Sequence, residues 1–427
     1  GMHNSDQRSP WVKFSLFFGI LLLMMQVFNY FPKQNSHKKN GNFWPFFFQE
    51  IPADSLDIVF MGNSHSKTTF IPEVIDKLLG TQSVHVNTSG ESIFQTVYEF
   101  REVIRHQDEA TIVLETFPIY GGLLQDDLKP WNFSFFYSMP FSLRKLVYGF
   151  QFFSSDDLLK FILPFTNNHA DWKNPKAVLT RIKEGLGALK TKLEAEGHIA
   201  LPHKGYENYL KSLPPQTGES APPIPVDCSI ADLAARLAAA EEIMQMSRER
   251  GQRLALIEAP QYINLYESCS EQVIDLSAQY DIPYYALLTE QFHSPLWFAD
   301  DQHMTQFGAI IASVETARIL ADQLDIAWNK DMLAYYRSYF FLDYTLVQEG
   351  DTVTLTLIPE ELEAIQDVDF TWTISLEGEA FSKTEEKGMN SVSFTLVQPT
   401  GNYFIHVIIH NPVSDYYMRG GFNLVLE

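Results

Sequence analysis

The stretch DIVFMGNSHSKTTF, from Asp57 to Phe70, joins a short apolar run to a polar corner and then to the start of a helical pattern. Residues 58–61 predict a fully buried strand, because strands of parallel sheets are covered on both faces. Ser64 follows that strand, and a hydroxyl at such a corner serves either as a helix cap or as a nucleophile. Ligands of open α/β sheets bind outside the carboxyl ends of strands, so Ser64 stands where a site is expected.

Strand and helix signals alternate on both sides of a long interruption. They predict strands at 84–86, 111–114, 254–259 and 283–287, and helices at 71–79, 93–104, 230–249, 271–279 and 308–324. This alternation predicts a parallel sheet with helices on both faces. The interruption, 117–228, is too long for a plain loop, and either a helical excursion packed on the sheet or a lid would explain it.

The first forty residues contain an apolar segment, residues 14–31, that is long enough to cross a bilayer at about 1.5 Å per residue. It predicts an uncleaved transmembrane anchor; a cleaved signal peptide and a buried core helix are the alternatives. A single N-terminal anchor usually exports the large region that follows it, so we expect an extracytoplasmic catalytic domain. Cys228 and Cys269, the only cysteines, leave the compartment open.

From about Tyr336 the apolar pattern changes to a period of two, which predicts a small antiparallel β-sandwich. Phe370, Trp372, Ile374 and Leu376 share one face of a predicted strand, either as core or as a carbohydrate-binding surface. The predicted organisation has four parts, namely an N-terminal tail and anchor at 1–33, a linker at 34–53, an α/β domain at 54–330 and the sandwich at 331–427.

The composition excludes some classes of partner. Thirty-one Lys and Arg against 53 Asp and Glu give a net charge of −22, which argues against nucleic-acid binding by bulk electrostatics. The sequence contains no Gly-rich phosphate loop, and no cofactor is predicted.

A second polar constellation, FADDQHMTQFGA, lies near the end of the α/β region. In it Asp300 and His303 are three residues apart. Ser64, His303 and Asp300 are the residue types that acyl transfer needs, because the imidazole takes the serine proton and the carboxylate fixes the imidazole tautomer. Asp301 is the alternative carboxylate. His65 is a conceivable metal ligand, but no further ligands stand at suitable spacing, so no metal is predicted.

With these motifs in the chain order Ser, Asp, His, residues 54–325 resemble the SGNH (GDSL-like) hydrolase superfamily, and within it the membrane-anchored bacterial cell-envelope and exopolysaccharide acyl-transfer branch. The resemblance implies a flavodoxin-like three-layer α/β/α domain with Ser64 as nucleophile, His303 as base and Asp300 as its orienter. It also implies an oxyanion hole formed by the backbone amides of Ser64 and Gly90.

The sequence departs from the family pattern at the third motif. The family has an Asn after the strand that reads IVLETFP here, whereas this chain has Glu115 and Thr116. A His-x-x-Trp element seen in similar anchored proteins is matched by His169 and Trp172, although a buried structural histidine explains His169 equally well. The candidate substrate-binding residues are Asn63, His65, Glu115, His169 and Trp172.

The predicted function is therefore a membrane-tethered serine O-acyltransferase or esterase. Its substrate would be acyl groups, such as acetyl, of a cell-envelope glycan or exopolysaccharide. The acyl donor is unidentified, and a membrane acyltransferase would be one source of it. The alternative is a catalytically silent glycan-binding or assembly subunit, which the missing Asn and the appended sandwich both favour.

Overall fold

A computed structural model of the chain contains one parallel sheet, two antiparallel sheets and the helices that connect them. The structure describes residues 11–21, 43–120, 142–154, 158, 176, 204, 206, 232–262, 267–287, 295–359, 368–376, 379–387, 390–396, 401–411 and 416–426.

Five strands form the parallel sheet in the order β2-β1-β3-β4-β5. They are β1 (Ile58–Met61), β2 (Ser83–His85), β3 (Thr111–Glu115), β4 (Leu254–Glu258) and β5 (Tyr284–Ala286). In the register, Val59 of β1 lies between Val84 of β2 and Ile112 of β3. Strands β1, β3 and β4 are buried along their whole length, which confirms the parallel sheet predicted from their apolar runs.

Helices follow the strands much as the sequence predicts. They are α1 (Phe43–Gln49), α2 (Ser64–Thr69), α3 (Pro72–Leu79), α4 (Ile93–His106), α5 (Phe117–Tyr120), α6 (Leu143–Phe152), α7 (Leu233–Arg250), α8 (Glu267–Gln279), α9 (Gln306–Leu324) and α10 (Lys330–Phe340), with a 3₁₀ turn at Pro295–Trp297. The helix predicted at 71–79 is α3, and a separate short helix, α2, precedes it. Pro72 explains the break, because proline has no N–H to donate but is accommodated at the first position of a helix.

The C-terminal strands form two antiparallel sheets in the orders β10-β7-β6 and β12-β11-β8-β9. The strands are β6 (Leu342–Glu349), β7 (Thr352–Pro359), β8 (Asp369–Leu376), β9 (Glu379–Lys387), β10 (Ser391–Thr395), β11 (Gly401–Asn411) and β12 (Tyr416–Leu426). On β8, Phe370, Trp372 and Ile374 are buried in the hydrophobic core. That face is therefore packed and is not a carbohydrate-binding surface.

The predicted change to a period of two at Tyr336 is wrong in position, because α10 occupies Lys330–Phe340 and the first antiparallel strand begins at Leu342. The Asn329 side chain caps α10 by accepting hydrogen bonds from the amides of Asp331 and Met332, both at 3.1 Å. Tyr336 is fully buried on this helix.

One continuous hydrophobic core joins the α/β region to the antiparallel sheets. It contains residues of β1, α3, α9, α10 and both sheets. At one contact the strand β12 meets α9: a Cβ atom added at Gly420 would lie 1.8 Å from the ring of Phe307. Only a residue without a side chain lets the strand approach the ring this closely.

The chain divides into two units, residues 1–51 with 129–201 and residues 52–128 with 202–427. The second unit contains the three sheets. Part of the predicted insertion belongs to it, because the Lys204 side chain forms an ion pair with Asp76 of α3 and Tyr206 is part of the hydrophobic core. Residues 121–141, which contain many of the insertion's aromatic side chains, lie outside the described residues.

Residues 11–21 are helical, and residues 22–33 of the predicted anchor are not among those described. Within the described part of the chain, no helix is both long and apolar enough to cross a membrane. Cys269, which is buried on α8, is disulfide-bonded. The only other cysteine of the chain is Cys228.

Candidate active site

The corner after β1 is built around Gly62. Its φ angle is +138°, a conformation that L side chains rarely adopt, and an added Cβ would lie 3.0 Å from the Glu115 Cβ and 3.1 Å from the Ser66 Cβ. The Asn63 side chain then accepts a hydrogen bond from the His65 amide at 2.9 Å and caps α2. The cap is therefore Asn63, which leaves the half-buried Ser64 hydroxyl available for chemistry.

This corner lies where the strand order reverses, since β1 has β2 on one side and β3 on the other. The connections from β1 to β2 and from β3 to β4 therefore lead away in opposite directions, which leaves a crevice at the carboxyl ends of β1 and β3. Ser64 follows β1 directly, and Glu115 ends β3.

The segment that carries Asp300 and His303 is a tight loop between the 3₁₀ turn and α9. The Ala299 amide donates to the His303 carbonyl at 2.7 Å, and the Thr305 amide donates to the Trp297 carbonyl at 2.9 Å. Gly308 lets α9 approach this loop, because an added Cβ would lie 2.5 Å from the Trp297 carbonyl oxygen. The loop is thus held by backbone hydrogen bonds and by a close helix contact.

The loop brings together the three residues that the sequence predicts for acyl transfer. His303 Nε2 lies 2.8 Å from Ser64 Oγ, and His303 Nδ1 lies 2.8 Å from Asp300 Oδ2. An ionised carboxylate only accepts hydrogen bonds, so Nδ1 carries the proton and Nε2 has a lone pair facing the Ser64 hydroxyl. This arrangement is the one that a serine nucleophile and its general base require.

Asp300 is held as a carboxylate although burial acts to raise its pKa. The His303 side chain and the amides of Gln302 and His303, both 2.8 Å from Oδ1, donate hydrogen bonds that lower the pKa of Asp300 to about 2. The alternative carboxylate, Asp301, follows it in the loop, where its carbonyl accepts from the Tyr262 amide at 3.1 Å. The carboxylate that accepts hydrogen bonds from His303 is thus that of Asp300.

His65 is a buried packing residue beside the catalytic candidates. Its ring stacks on Phe117 with centroids 3.7 Å apart and lies 5.3 Å from the His303 ring. Burial, with a smaller contribution from His303, lowers the pKa of His65 to about 3, so the ring is neutral. Among the described residues, no group of three or more His, Cys, Asp and Glu side chains could hold a metal ion.

Gly90 lies in the turn after β2, with a φ angle of +72°. The Glu91 carboxylate fixes this turn by accepting hydrogen bonds from the Thr88 amide and the Thr96 hydroxyl, both at 2.8 Å. The Asn63 amide group donates to the Glu91 carbonyl at 3.5 Å. The turn that contains Gly90 is therefore tied to the residue that precedes Ser64.

Glu115, a candidate for substrate binding, is buried. Its Oε1 accepts from the Phe117 amide at 3.0 Å. Burial raises the pKa of Glu115 to about 8, although hydrogen bonds from the amides of Phe117 and Ala259 act to lower it. The nearby Glu258 contributes a smaller increase. At neutral pH the folded chain therefore holds Glu115 mainly as the neutral acid, which has one O–H to donate.

A buried polar network lies beneath α2, and no sequence pattern indicates it. His85 Nε2 lies 2.8 Å from the Phe70 carbonyl, so it donates, and Nδ1 faces the Ser66 hydroxyl and the Asn87 amide group at 3.4 Å each. Burial lowers the pKa of His85 to about 3. Because Ser66 lies on the same short helix as Ser64, this network helps to fix the orientation of α2.

His169 and Trp172, the remaining predicted substrate-binding residues, lie outside the described residues.

Comparisons with known proteins identify no family. No protein-family profile and no curated protein matches the chain. Among solved structures, domains d3–d4 of the rat CD45 extracellular region match at 10% identity and a TM-score of 0.17, over 19% of this chain and 46% of that chain. This chain thus spans less than half of the CD45 chain. A Cellulomonas fimi endo-beta-1,4-mannanase double mutant matches at 9% identity and a TM-score of 0.16, over 89% of this chain and 96% of that chain. Scores this low carry no argument about fold or function.

Proposed function

We propose that the chain is a serine esterase or O-acyltransferase in which Ser64 forms an acyl-enzyme. The observation that carries the proposal is the pair of 2.8 Å hydrogen bonds from Ser64 Oγ to His303 Nε2 and from His303 Nδ1 to Asp300 Oδ2. A serine hydroxyl is a weak nucleophile until a base removes its proton, and this geometry supplies that base.

In the first half-reaction Ser64 Oγ attacks the carbonyl carbon of an ester and its proton passes to His303 Nε2. The bond from the carbonyl carbon to the leaving oxygen breaks, and the imidazolium returns the proton to that oxygen. Asp300, held as a carboxylate, stabilises the imidazolium between these steps. Water or a sugar hydroxyl then gives its proton to His303 and attacks the acyl carbon. The bond from that carbon to Ser64 Oγ breaks and the imidazolium returns the proton to Oγ, which yields hydrolysis or transfer.

The oxyanion that develops on the carbonyl oxygen would be stabilised by the backbone amides of Ser64 and Gly90. Support comes from the hydrogen bond between Asn63 and Glu91, which links the Gly90 turn to the nucleophile corner. One such donor contributes about 3 kcal/mol to transition-state stabilisation.

The proposed framework is a flavodoxin-like three-layer SGNH domain followed by a β-sandwich. The sheet order 2-1-3-4-5 supports the first part, because it is the flavodoxin-like order with a switch point between β1 and β3. The β-sandwich is supported by the two antiparallel sheets, because residues of both sheets are buried in one core.

The proposed location is the extracytoplasmic side of a membrane, with an anchor within residues 1–33. The apolar run at 14–31 supports an anchor. The disulfide at Cys269 supports export, because disulfides persist in oxidising compartments. The proposed substrate is an O-acylated envelope glycan or exopolysaccharide, with an acyl donor supplied by a membrane acyltransferase.

A catalytically silent glycan-binding or assembly subunit is the second candidate. The observation that favours it is the buried Glu115 at the end of β3, where the family pattern has an Asn. Such a subunit would keep the Ser64 geometry without a complete oxyanion hole.

Labelling of the full chain by a serine-directed fluorophosphonate distinguishes the two candidates. We expect covalent modification at Ser64, located by peptide mass spectrometry, together with turnover of p-nitrophenyl acetate. Release of acetate alone would indicate an esterase, whereas transfer to an added oligosaccharide would indicate a transferase. If the folded protein shows neither labelling nor turnover, the enzyme is rejected and the silent subunit is favoured.

A further inference from the structure

A cleft of about 570 Å³ lies between α9, α10 and the hairpin of β6 and β7. It is separate from the Ser64 corner and is lined by residues of all these elements and of the loops between them. Its volume is within the range of small-ligand sites, which are usually a few hundred to about 1,000 Å³. The cleft is therefore large enough for a ligand rather than only for solvent.

Three aromatic side chains line the cleft, namely Trp297, Trp328 and Phe341. Each is partly buried against the hydrophobic core and partly exposed. Trp297 has a fixed orientation, because its indole N–H donates to the Leu342 carbonyl at 3.1 Å. Trp328 is adjacent to Asn329, whose amide donates to the Leu78 carbonyl at 2.7 Å. An indole face held in this way, as that of Trp297 is, offers apolar contact area at little cost in side-chain entropy.

Charged groups surround these rings. Arg318 donates to Glu315 at 3.1 Å, and the Arg337 guanidinium lies 6.0 Å from the centre of the Phe341 ring. Asp343 also lines the cleft. Two arginines and two carboxylates balance in formal charge and present many hydrogen-bond donors and acceptors around an apolar floor.

We propose that this cleft binds neutral sugar units of a polysaccharide. A sugar ring has apolar C–H faces that pack on an indole, and its hydroxyl groups both donate and accept, as the carboxylates and guanidinium groups of the cleft require. The balanced charge of the cleft and the net charge of −22 disfavour an acidic polymer. An acyl chain or an apolar peptide segment would cover these charged groups and remove water from them without offering hydrogen bonds in return.

The cleft lies beside the loop of the candidate active site. Trp297 lines the cleft, and its carbonyl accepts a hydrogen bond from Thr305 at the other end of the segment that contains Asp300 and His303. Along α9, the cleft extends to Arg318, about 18 Å from Gln306 at the helix start. A polymer bound here would keep its neighbouring units close to Ser64 at high effective concentration. This consequence rests on the proposed function, whereas sugar binding by the cleft does not.

Binding is tested with the full chain in a polyoxyethylene detergent, because detergents with sugar headgroups would compete. An array of neutral and acidic oligosaccharides identifies binders, and calorimetric titration with the strongest neutral one gives the dissociation constant. We expect neutral oligosaccharides to bind. Trp328→Ala should weaken binding about tenfold or more, and Arg337→Ala by several-fold, as for central aromatic and arginine contacts in interfaces.

Two controls separate this site from the active site and from general surface effects. Ser64→Ala should bind as the unmutated chain does, so the result does not depend on catalysis. Arg248→Ala removes another exposed arginine over an aromatic ring, 4.8 Å from the centre of Tyr280, and should not change binding. The proposal is overturned if no neutral oligosaccharide binds, if only acidic ones bind, or if Arg337→Ala and a folded Trp328→Ala both bind normally.

Discussion

His303 Nε2 and Ser64 Oγ lie 2.8 Å apart although 239 residues separate them in the chain. A hydroxyl on α9 helps to hold them together: Ser313 Oγ accepts a hydrogen bond from the Ile71 amide at 2.8 Å, at the junction of α2 and α3. The helix that follows the His303 loop is thus bonded directly to the segment that follows Ser64.

Ser64→Ala should abolish turnover of p-nitrophenyl acetate and labelling by a fluorophosphonate, because it removes the hydroxyl group that lies 2.8 Å from His303 Nε2. The loss should exceed about a thousandfold in kcat. Ser66→Ala is the matched control, since Ser66 lies on the same helix and faces His85 instead. Labelling that persists in folded Ser64→Ala protein would assign the nucleophile elsewhere.

Asp300→Asn should lower kcat about a thousandfold or more, because an amide neither stabilises the imidazolium nor fixes the tautomer as a carboxylate does. Asp301→Asn in the neighbouring position should leave kcat close to that of the unmutated chain, since Asp301 holds the loop through its backbone carbonyl. Steady-state kinetics on both variants give the comparison. Equal losses in the two variants would contradict the assignment of Asp300.

Gly62→Ala should lower the free energy of unfolding by about 3 kcal/mol or more. The added Cβ is strained at a φ angle of +138°, and it also lies too close to the Glu115 and Ser66 Cβ atoms, at 3.0 and 3.1 Å. Gly80→Ala is the matched control. Its φ angle is +70°, but an added Cβ has no atom within 4 Å, so the cost should be about 1–2 kcal/mol. Urea denaturation measures both, and a smaller loss for Gly62→Ala would show that the corner is not constrained as described.

Glu115→Gln should stabilise the protein at alkaline pH. The pKa of Glu115 is raised from 4.5 to about 8, so between these values the folded chain binds a proton that the unfolded chain has lost. The contribution to stability is therefore complete below about pH 4.5 and is lost as pH rises towards 8, at up to about 1.4 kcal/mol per pH unit. Glutamine removes this dependence and retains an oxygen for the Phe117 amide.

Unfolding free energies of the unmutated chain and Glu115→Gln at pH 6 and pH 9 give the difference, and Glu349→Gln at an exposed position provides the control. The two proteins should differ more at pH 9 than at pH 6. A difference that stays constant across this range would show that Glu115 is not protonated in the folded state at neutral pH.

The sequence was sufficient to predict that Ser64, Asp300 and His303 come together, because two separate rules apply to them. Apolar runs locate strands, and the carboxyl ends of parallel strands meet at one edge of a sheet. Residue chemistry then selects which polar side chains at that edge can act together. The structure brings these three into hydrogen-bond contact, with Asp300 rather than Asp301 at His303.

The buried polar face of α4 could not be predicted in the same way. Gln95, Glu99 and Glu102 recur at helical spacing on α4, which normally indicates a face in contact with solvent. All three are instead buried, and Glu99 is close enough to Glu91 and Lys67 to interact electrostatically with both. Burial of a polar face depends on residues that are distant in the sequence, so spacing along one helix does not reveal it.

Helix α10 was missed for a local reason. Its sequence, KDMLAYYRSYF, is rich in aromatic residues that favour strands, and it directly precedes the first antiparallel strand. Tertiary packing of Tyr336 in the core outweighs that preference. The one sequence signal for the helix is Asn329, a favoured cap residue, followed by Asp331 in the first turn.

The contact between Gly420 and Phe307 has a consequence for how this chain can be divided and recombined. Phe307 lies in the first turn of the helix that follows His303, and the last strand of the chain packs directly on its ring. A protein truncated before the antiparallel sheets would place this ring and its apolar neighbours in water next to the His303 loop. The C-terminal region is therefore not an interchangeable module, and grafting the Ser64 corner onto another scaffold would require a substitute for this strand.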